Sequence, residues 1–246
     1  MQSSEHLGNT FGRAWQLLTQ NWILIVPGIA VAIVAAIVIA LLAMFGAVSS
    51  AGFGAAGMAG ASVASALFSA MIAGVVLMLA SIIVVAFTTG MAGAAWQTGT
   101  ATFADGTAAF RQRGADVLIA IVLLFILGII AVALSMVTFG LALAAFYLFF
   151  LYTMPSVIVG GRPAVDALGE SARITSKNFL MTLGVIVLLI VGFIIASLIG
   201  RIFGGIPFLG AAVVEVIVQI FAAYATLVIV GEYLKLRPAA YPPAAS

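Results

Sequence analysis

The sequence predicts an all-α integral membrane protein with six transmembrane helices, and three observations carry the prediction. Hydrophobic residues make up 65% of the 246 positions and charged residues 7%, with a mean hydropathy of +1.34. A compact globule of that composition has too little polar surface to stay in water, so lipid must be its solvent. From Ala14 through Ala104 the chain carries no Asp, Glu, Lys or Arg, which is room for two crossings of about 20 residues each. Six apolar runs recur along the chain, and in hydrocarbon each must satisfy its own backbone N–H and C=O groups, which makes them helices.

In chain order the spans are expected near 22–45, 63–89, 117–134, 139–159, 179–200 and 208–230. Ahead of the first, residues 7–20 place Leu7, Phe11, Ala14, Trp15 and Leu18 at helical spacing on one side and Asn9, Arg13, Gln16 and Gln20 on the other. That is the pattern of an amphipathic helix lying in the membrane interface. The run from Trp22 is too long for the apolar part of a signal peptide and reads as a permanent span. Between spans one and two, residues 47–62 are mostly Gly, Ala and Ser without charge: an outer loop, or a re-entrant piece packed on other helices. After the sixth span, residues 238–246 form a Pro/Ala-rich tail.

The basic residues set the orientation. The net charge of +2 and pI of 9.2 do not point to nucleic acid, because the charges lie at helix ends. Of nine Lys and Arg residues, Arg201 stands alone on one side, and Arg13, Arg111, Arg113, Arg162, Arg173, Lys177, Lys235 and Arg237 share the other. The rich side, with both termini, is therefore expected on the cytoplasmic face of the cell membrane. Arg13, Arg111, Arg113, Arg173 and Lys177 are its interfacial basic residues.

Before span five, Asp166, Glu170, Arg173 and Lys177 repeat the polar spacing of Asn9, Arg13, Gln16 and Gln20, and Leu168, Ala172 and Thr175 repeat the apolar one. The offset is 178 − 21 = 157 throughout, and it continues into Asn21-Trp22 and Asn178-Phe179, as an internal repeat would. A third copy, with Phe110, Arg111, Arg113 and Asp116 aligned on Trp15 through Asn21 at 116 − 21 = 95, makes the chain three units of interfacial helix plus hairpin.

The segment Leu151-Tyr152-Thr153-Met154-Pro155-Ser156-Val157 is followed by Ala164-Val165-Asp166-Ala167-Leu168, Ser171 and Lys177-Asn178-Phe179, and the chain closes its last span on Glu232-Tyr233-Leu234-Lys235-Leu236-Arg237. In these residues it resembles the membrane domain of bacterial membrane-anchored glycerophosphodiester phosphodiesterases, a domain that also occurs alone in small uncharacterised six-helix membrane proteins. The resemblance implies six helices. It implies no catalytic residue, because the phosphodiesterase site belongs to a separate soluble domain that these residues are not expected to include.

Searching the residues for chemistry returns little. One His excludes the two-His metalloprotease helix, and zero Cys excludes thiolate chemistry and Cys-based metal sites. No Gly-x-Ser-x-Gly elbow or Gly-x-x-x-x-Gly-Lys loop is present. No catalytic residue, metal or cofactor is expected. Within the six spans the one acidic residue is Glu215, with Gln219 one turn along the same face and Arg201 at the outer end of span five. Either Arg201 and Glu215 clip the last hairpin while Gln219 bonds a neighbour, or Glu215 is a proton or cation site in a permeation path. Prolines 27, 155 and 207 lie near span ends rather than at midplane breaks, which favours the first. The expected function is thus non-enzymatic: lipid contact, membrane organisation or a scaffold, with membrane lipids and another membrane or cytoplasmic protein as partners. A small carrier or channel using Glu215 and an accessory subunit of a lipid-processing enzyme are the alternatives.

Overall fold

The computed structural model describes residues 3–52, 80, 83–203 and 209–237, and every regular element among them is a helix. Most of the expected second span, residues 53–62 of the first outer segment, the turn 204–208 and the tail 238–246 lie outside the described residues. The elements are α1 (Ser3–Gln20), a 3-10 turn (Trp22–Ile25), α2 (Val26–Gly52), α3 (83–98), α4 (Phe103–Ser135), α5 (Leu141–Phe150), α6 (Thr153–Ile158), α7 (Ala164–Lys177), α8 (Phe179–Phe203) and α9 (Leu209–Leu236). Four stretches are long and apolar enough to cross a membrane: Phe103–Ser135, Leu141–Ile158, Phe179–Ile199 and Val213–Leu236. A fifth is added if the bent pair Asn9–Gln20 and Trp22–Val38 counts as one. By length and hydropathy this is a multi-pass membrane protein.

The bend of 91° between that pair is made at Asn21. Its backbone leaves the helical region at φ −126°, ψ 56°, and its amide side chain does the work of a cap. Asn21 Nδ2 donates to the carbonyls of Leu17 and Gly99 at 3.0 Å each, and Oδ1 accepts from Ala101 N–H at 2.8 Å. The buried face of α1 is Thr10, Ala14, Leu17 and Leu18; Trp15, expected on the apolar face, is 55% exposed and meets Tyr224 edge-on. At Asn178, between α7 and α8, the same exit is built again: φ −125°, ψ 40°, with Nδ2 donating to Ile174 C=O at 3.0 Å.

Three expectations are corrected. Residues 47–52, expected to open the outer segment, instead continue α2 to Gly52. The third interfacial helix is not a separate element, because α4 runs unbroken over 33 residues, about 50 Å at 1.5 Å per residue. Its start is set early by a capping box, in which Thr102 Oγ1 accepts from Asp105 N–H and the Asp105 carboxylate accepts from Thr102 N–H at 2.8 Å. Each interior glycine costs only about 1 kcal/mol, and Gly106 is filled by the Phe87 ring, 2.5 Å from where a Cβ would stand. The fourth span is not one helix either but breaks between α5 and α6 at Leu151 and Tyr152. Pro155 has no N–H for the carbonyl of Leu151, and its ring crowds that carbonyl. The groups freed by the break are stitched from α7: Ser171 Oγ donates to Phe149 C=O at 2.7 Å and accepts from Tyr152 N–H at 3.1 Å, and Thr175 Oγ1 donates to Leu148 C=O at 3.0 Å.

α8 and α9 form the last hairpin, with Phe221 lying on the backbone of Gly192, and α2 reaches α9 where Gln219 covers Gly28. The core sits at the end of the molecule that carries α1 and α7. There Leu17 and Leu18 of α1, Met91 and Ala95 of α3 and Leu227 and Val228 of α9 make one buried cluster. Toward the other end the shafts present apolar flanks, and Val137 and Phe139 in the turn after α4 are 79% and 98% exposed.

Candidate functional site

The polar chemistry of the described residues is concentrated at that same end. A charge placed where a helix leaves the bilayer reaches water, whereas one at mid-span must be compensated inside protein. On α7, Glu170 accepts a 2.5 Å hydrogen bond from Ser156 Oγ and pairs with Arg162 Nε at 3.3 Å, tying α7 back to α6 and the turn between them. Arg173 and Lys177, one turn apart and exposed, form no ion pair among the described residues. They line a groove of about 290 Å³ along α7. The remaining interfacial cations are dispersed. Arg13 lies 5.4 Å over the ring of Trp96, whose Nε1 donates to Leu227 C=O at 2.8 Å. Arg113 pairs with Asp116 at 3.8 Å and covers Gly161, and Arg111 is exposed on α4.

At the centre of this end is a residue the span boundaries left out. Glu232 is 0% exposed, and among the described residues neither carboxylate oxygen has a hydrogen-bond partner. Its cation is Lys235, with Nζ 3.5 Å from Oε1, and Lys235 also donates to Thr10 of α1. The Tyr152 hydroxyl, bonded to Thr182 Oγ1 at 3.4 Å, lies within electrostatic reach of the same carboxylate. Tyr233 beside it is buried against Gly160, where there is no space for a Cβ. The hydropathy window closes at Val230, so Glu232 reads from sequence as a residue beyond the span. The available signal was the Glu-x-x-Lys spacing from Glu232 to Lys235, in a run with no Pro, Asn, Asp or Ser between Val230 and Leu236.

The expected Arg201–Glu215 clip is not formed. Arg201 is exposed and has no ion pair among the described residues. Glu215 is half-buried and turns along its own helix, where Oε1 accepts from Gln219 Nε2 at 2.7 Å. A double-mutant cycle on Arg201→Gln and Glu215→Gln, read as thermal stability in detergent, is expected to give a coupling below about 0.5 kcal/mol, the limit seen for independent sites. A larger coupling would restore the clip.

Among the described residues no group of three His, Cys, Asp or Glu side chains gathers as a metal site. No family model, curated protein or solved structure matches the chain, and what it does must be read from the geometry of its charged end.

Proposed function

We propose that this chain is a non-enzymatic membrane protein that contacts lipid through its helix flanks and basic cap, and thereby organises the membrane or holds another protein against it. It crosses the cell membrane six times, with the charged end and both termini in the cytoplasm. The observation that supports this reading is the segregation of surface. Phe125, Ile129 and Ile130 on α4 and Ile190, Phe193 and Ile194 on α8 are about half exposed, and α1 and α7 carry the charges at one end. Basic groups on that side face the anionic leaflet, where each contributes about 1 kcal/mol of attraction. The reading includes duplication of the unit of interfacial helix plus span, supported by the matched exits at Asn21 and Asn178. An accessory role beside a lipid-processing enzyme has only the family resemblance behind it.

Reporter fusions after Ser246 and after Ala115 are expected to give cytoplasmic signals, and tags inserted near Gly54 or Gly204 to be labelled from outside. An exported C-terminus would overturn the six-span arrangement. A second reading, a small proton- or cation-linked carrier or channel using Glu215, draws on one observation: this half-buried carboxylate has no cation partner among the described residues. It would be favoured if Glu215→Gln kept its stability and lost a proton or cation flux in reconstituted vesicles.

A further inference from the structure

Two grooves open on the charged end, one along α7 of about 290 Å³ and one along α1 of about 610 Å³. Their walls correspond at the offset 178 − 21 = 157: Gly12 with Gly169, Gln16 with Arg173, Leu17 with Ile174 and Gln20 with Lys177. Asn9 with Asp166 and Arg13 with Glu170 complete the set. Two residues along the chain beyond Gln20 and Lys177 stands an exposed aromatic that opens the next helical segment, Trp22 at 69% and Phe179 at 46%, and 22 and 179 are again 157 apart. The two therefore have the same construction, and they differ in charge.

The α1 groove presents the amides of Asn9, Gln16 and Gln20, and its one cation, Arg13, is stacked on Trp96. In the α7 groove Arg162 and Glu170 pair with each other, which leaves two cations, Arg173 and Lys177, and one carboxylate, Asp166, in the lining. A guanidinium and an ammonium one helical turn apart give a phosphodiester a donor for each of its free oxygens. Immediately beyond Lys177, Phe179 and Leu180 of α8 are exposed, the latter at 81%. Cations followed at once by open apolar surface suit an amphiphile better than a free anion.

We propose that the α7 groove binds the phosphate of an anionic glycerophospholipid, whose acyl chains lie on the exposed start of α8, and that the α1 groove is its counterpart without anion affinity. This rests on the lipid-contact reading of the protein. The sister groove supplies the substitutions that test it, since each is a residue already accommodated at the equivalent place: Arg173→Gln, Lys177→Gln and Asp166→Asn.

The experiment uses the full chain in nanodiscs of phosphatidylcholine containing a small fraction of phosphatidylglycerol, with bound lipid identified by mass spectrometry after exchange. The wild-type chain is expected to enrich phosphatidylglycerol. Arg173→Gln and Lys177→Gln should each weaken that enrichment about fivefold, the factor that follows from about 1 kcal/mol per cation. Asp166→Asn should strengthen it, an outcome that misfolding cannot imitate, and Arg13→Gln should leave it unchanged. Inorganic phosphate at millimolar concentration should not displace the lipid; displacement would make the site one for a free anion and overturn the lipid assignment. Enrichment that persists in the double Gln variant and does not respond to Asp166→Asn would leave the lipid-contact reading standing and overturn the groove. No headgroup preference in the wild-type chain would overturn both.

Discussion

Replacing Lys235 by methionine is expected to destabilise the protein by about 3 kcal/mol, the lower edge of the range for breaking a buried ion pair. The low edge applies because the Lys235 side chain is 34% exposed while that of Glu232 is 0% exposed, so water screens one partner only. Without Lys235 the Glu232 carboxylate has neither an ion pair nor a hydrogen bond among the described residues. Adding Glu232→Gln to Lys235→Met should recover most of the loss, because the uncompensated charge is gone. Thr10→Val separates the second role of Lys235, its hydrogen bond to α1, and should cost only about 1 kcal/mol. Unfolding of wild type, Lys235→Met, Glu232→Gln and the double variant in mixed micelles measures the cycle, with Thr10→Val read beside them. A Lys235→Met protein as stable as wild type, or a double variant no better than the single, would show that Glu232 is compensated by another group.

The second large effect is expected at Gly231. A Cβ there would stand 2.7 Å from Cε2 and 2.9 Å from Cη2 of Trp96, well inside van der Waals contact. Trp96 cannot retreat freely, since its Nε1 is bonded to Leu227 C=O and its ring carries Arg13. Gly231→Val should therefore cost about 3 kcal/mol, the upper part of the range for overpacking. In a Trp96→Phe background, where the six-membered part of the indole is absent, the same substitution should cost measurably less, and the difference reads the contact directly. Equal losses in the two backgrounds would mean that the strain falls elsewhere. The close approach of α3 and α9 at this point fixes the level at which α1 crosses the bundle, because Leu17 and Leu18 pack into the same cluster as Ala95 and Leu227.

Asn21 and Asn178 show how far the sequence reaches. Their shared place after an amphipathic segment and before an aromatic was visible as an offset of 178 − 21 = 157, and both side chains cap the helix they end in the same way. The signal was local, carried by neighbours three and four positions back, and local signals survive in a linear reading. Ser171 and Thr175 were less legible. They appear as ordinary small polar residues of an amphipathic helix, yet they satisfy the backbone of Phe149, Tyr152 and Leu148 where Pro155 breaks the span. Nothing near positions 171 and 175 announces a carbonyl more than 20 residues earlier.

By itself the sequence determined that the chain is helical and lipid-solvated, because composition and hydropathy are sums over a window and hydrocarbon permits no other backbone. It also displayed the matched polar spacing of 9–20 and 166–177 with an asparagine after each, the two places where the structure ends a helix at Asn21 and Asn178. Only the tertiary structure decided that Glu232 is buried, that Glu215 bonds Gln219 of its own helix and forms no ion pair with Arg201, and that two grooves share one construction with different charge. Those properties depend on which face of a helix meets which neighbour, as when Lys235 meets Thr10 across 225 positions, and a hydropathy window averages that direction away over each turn.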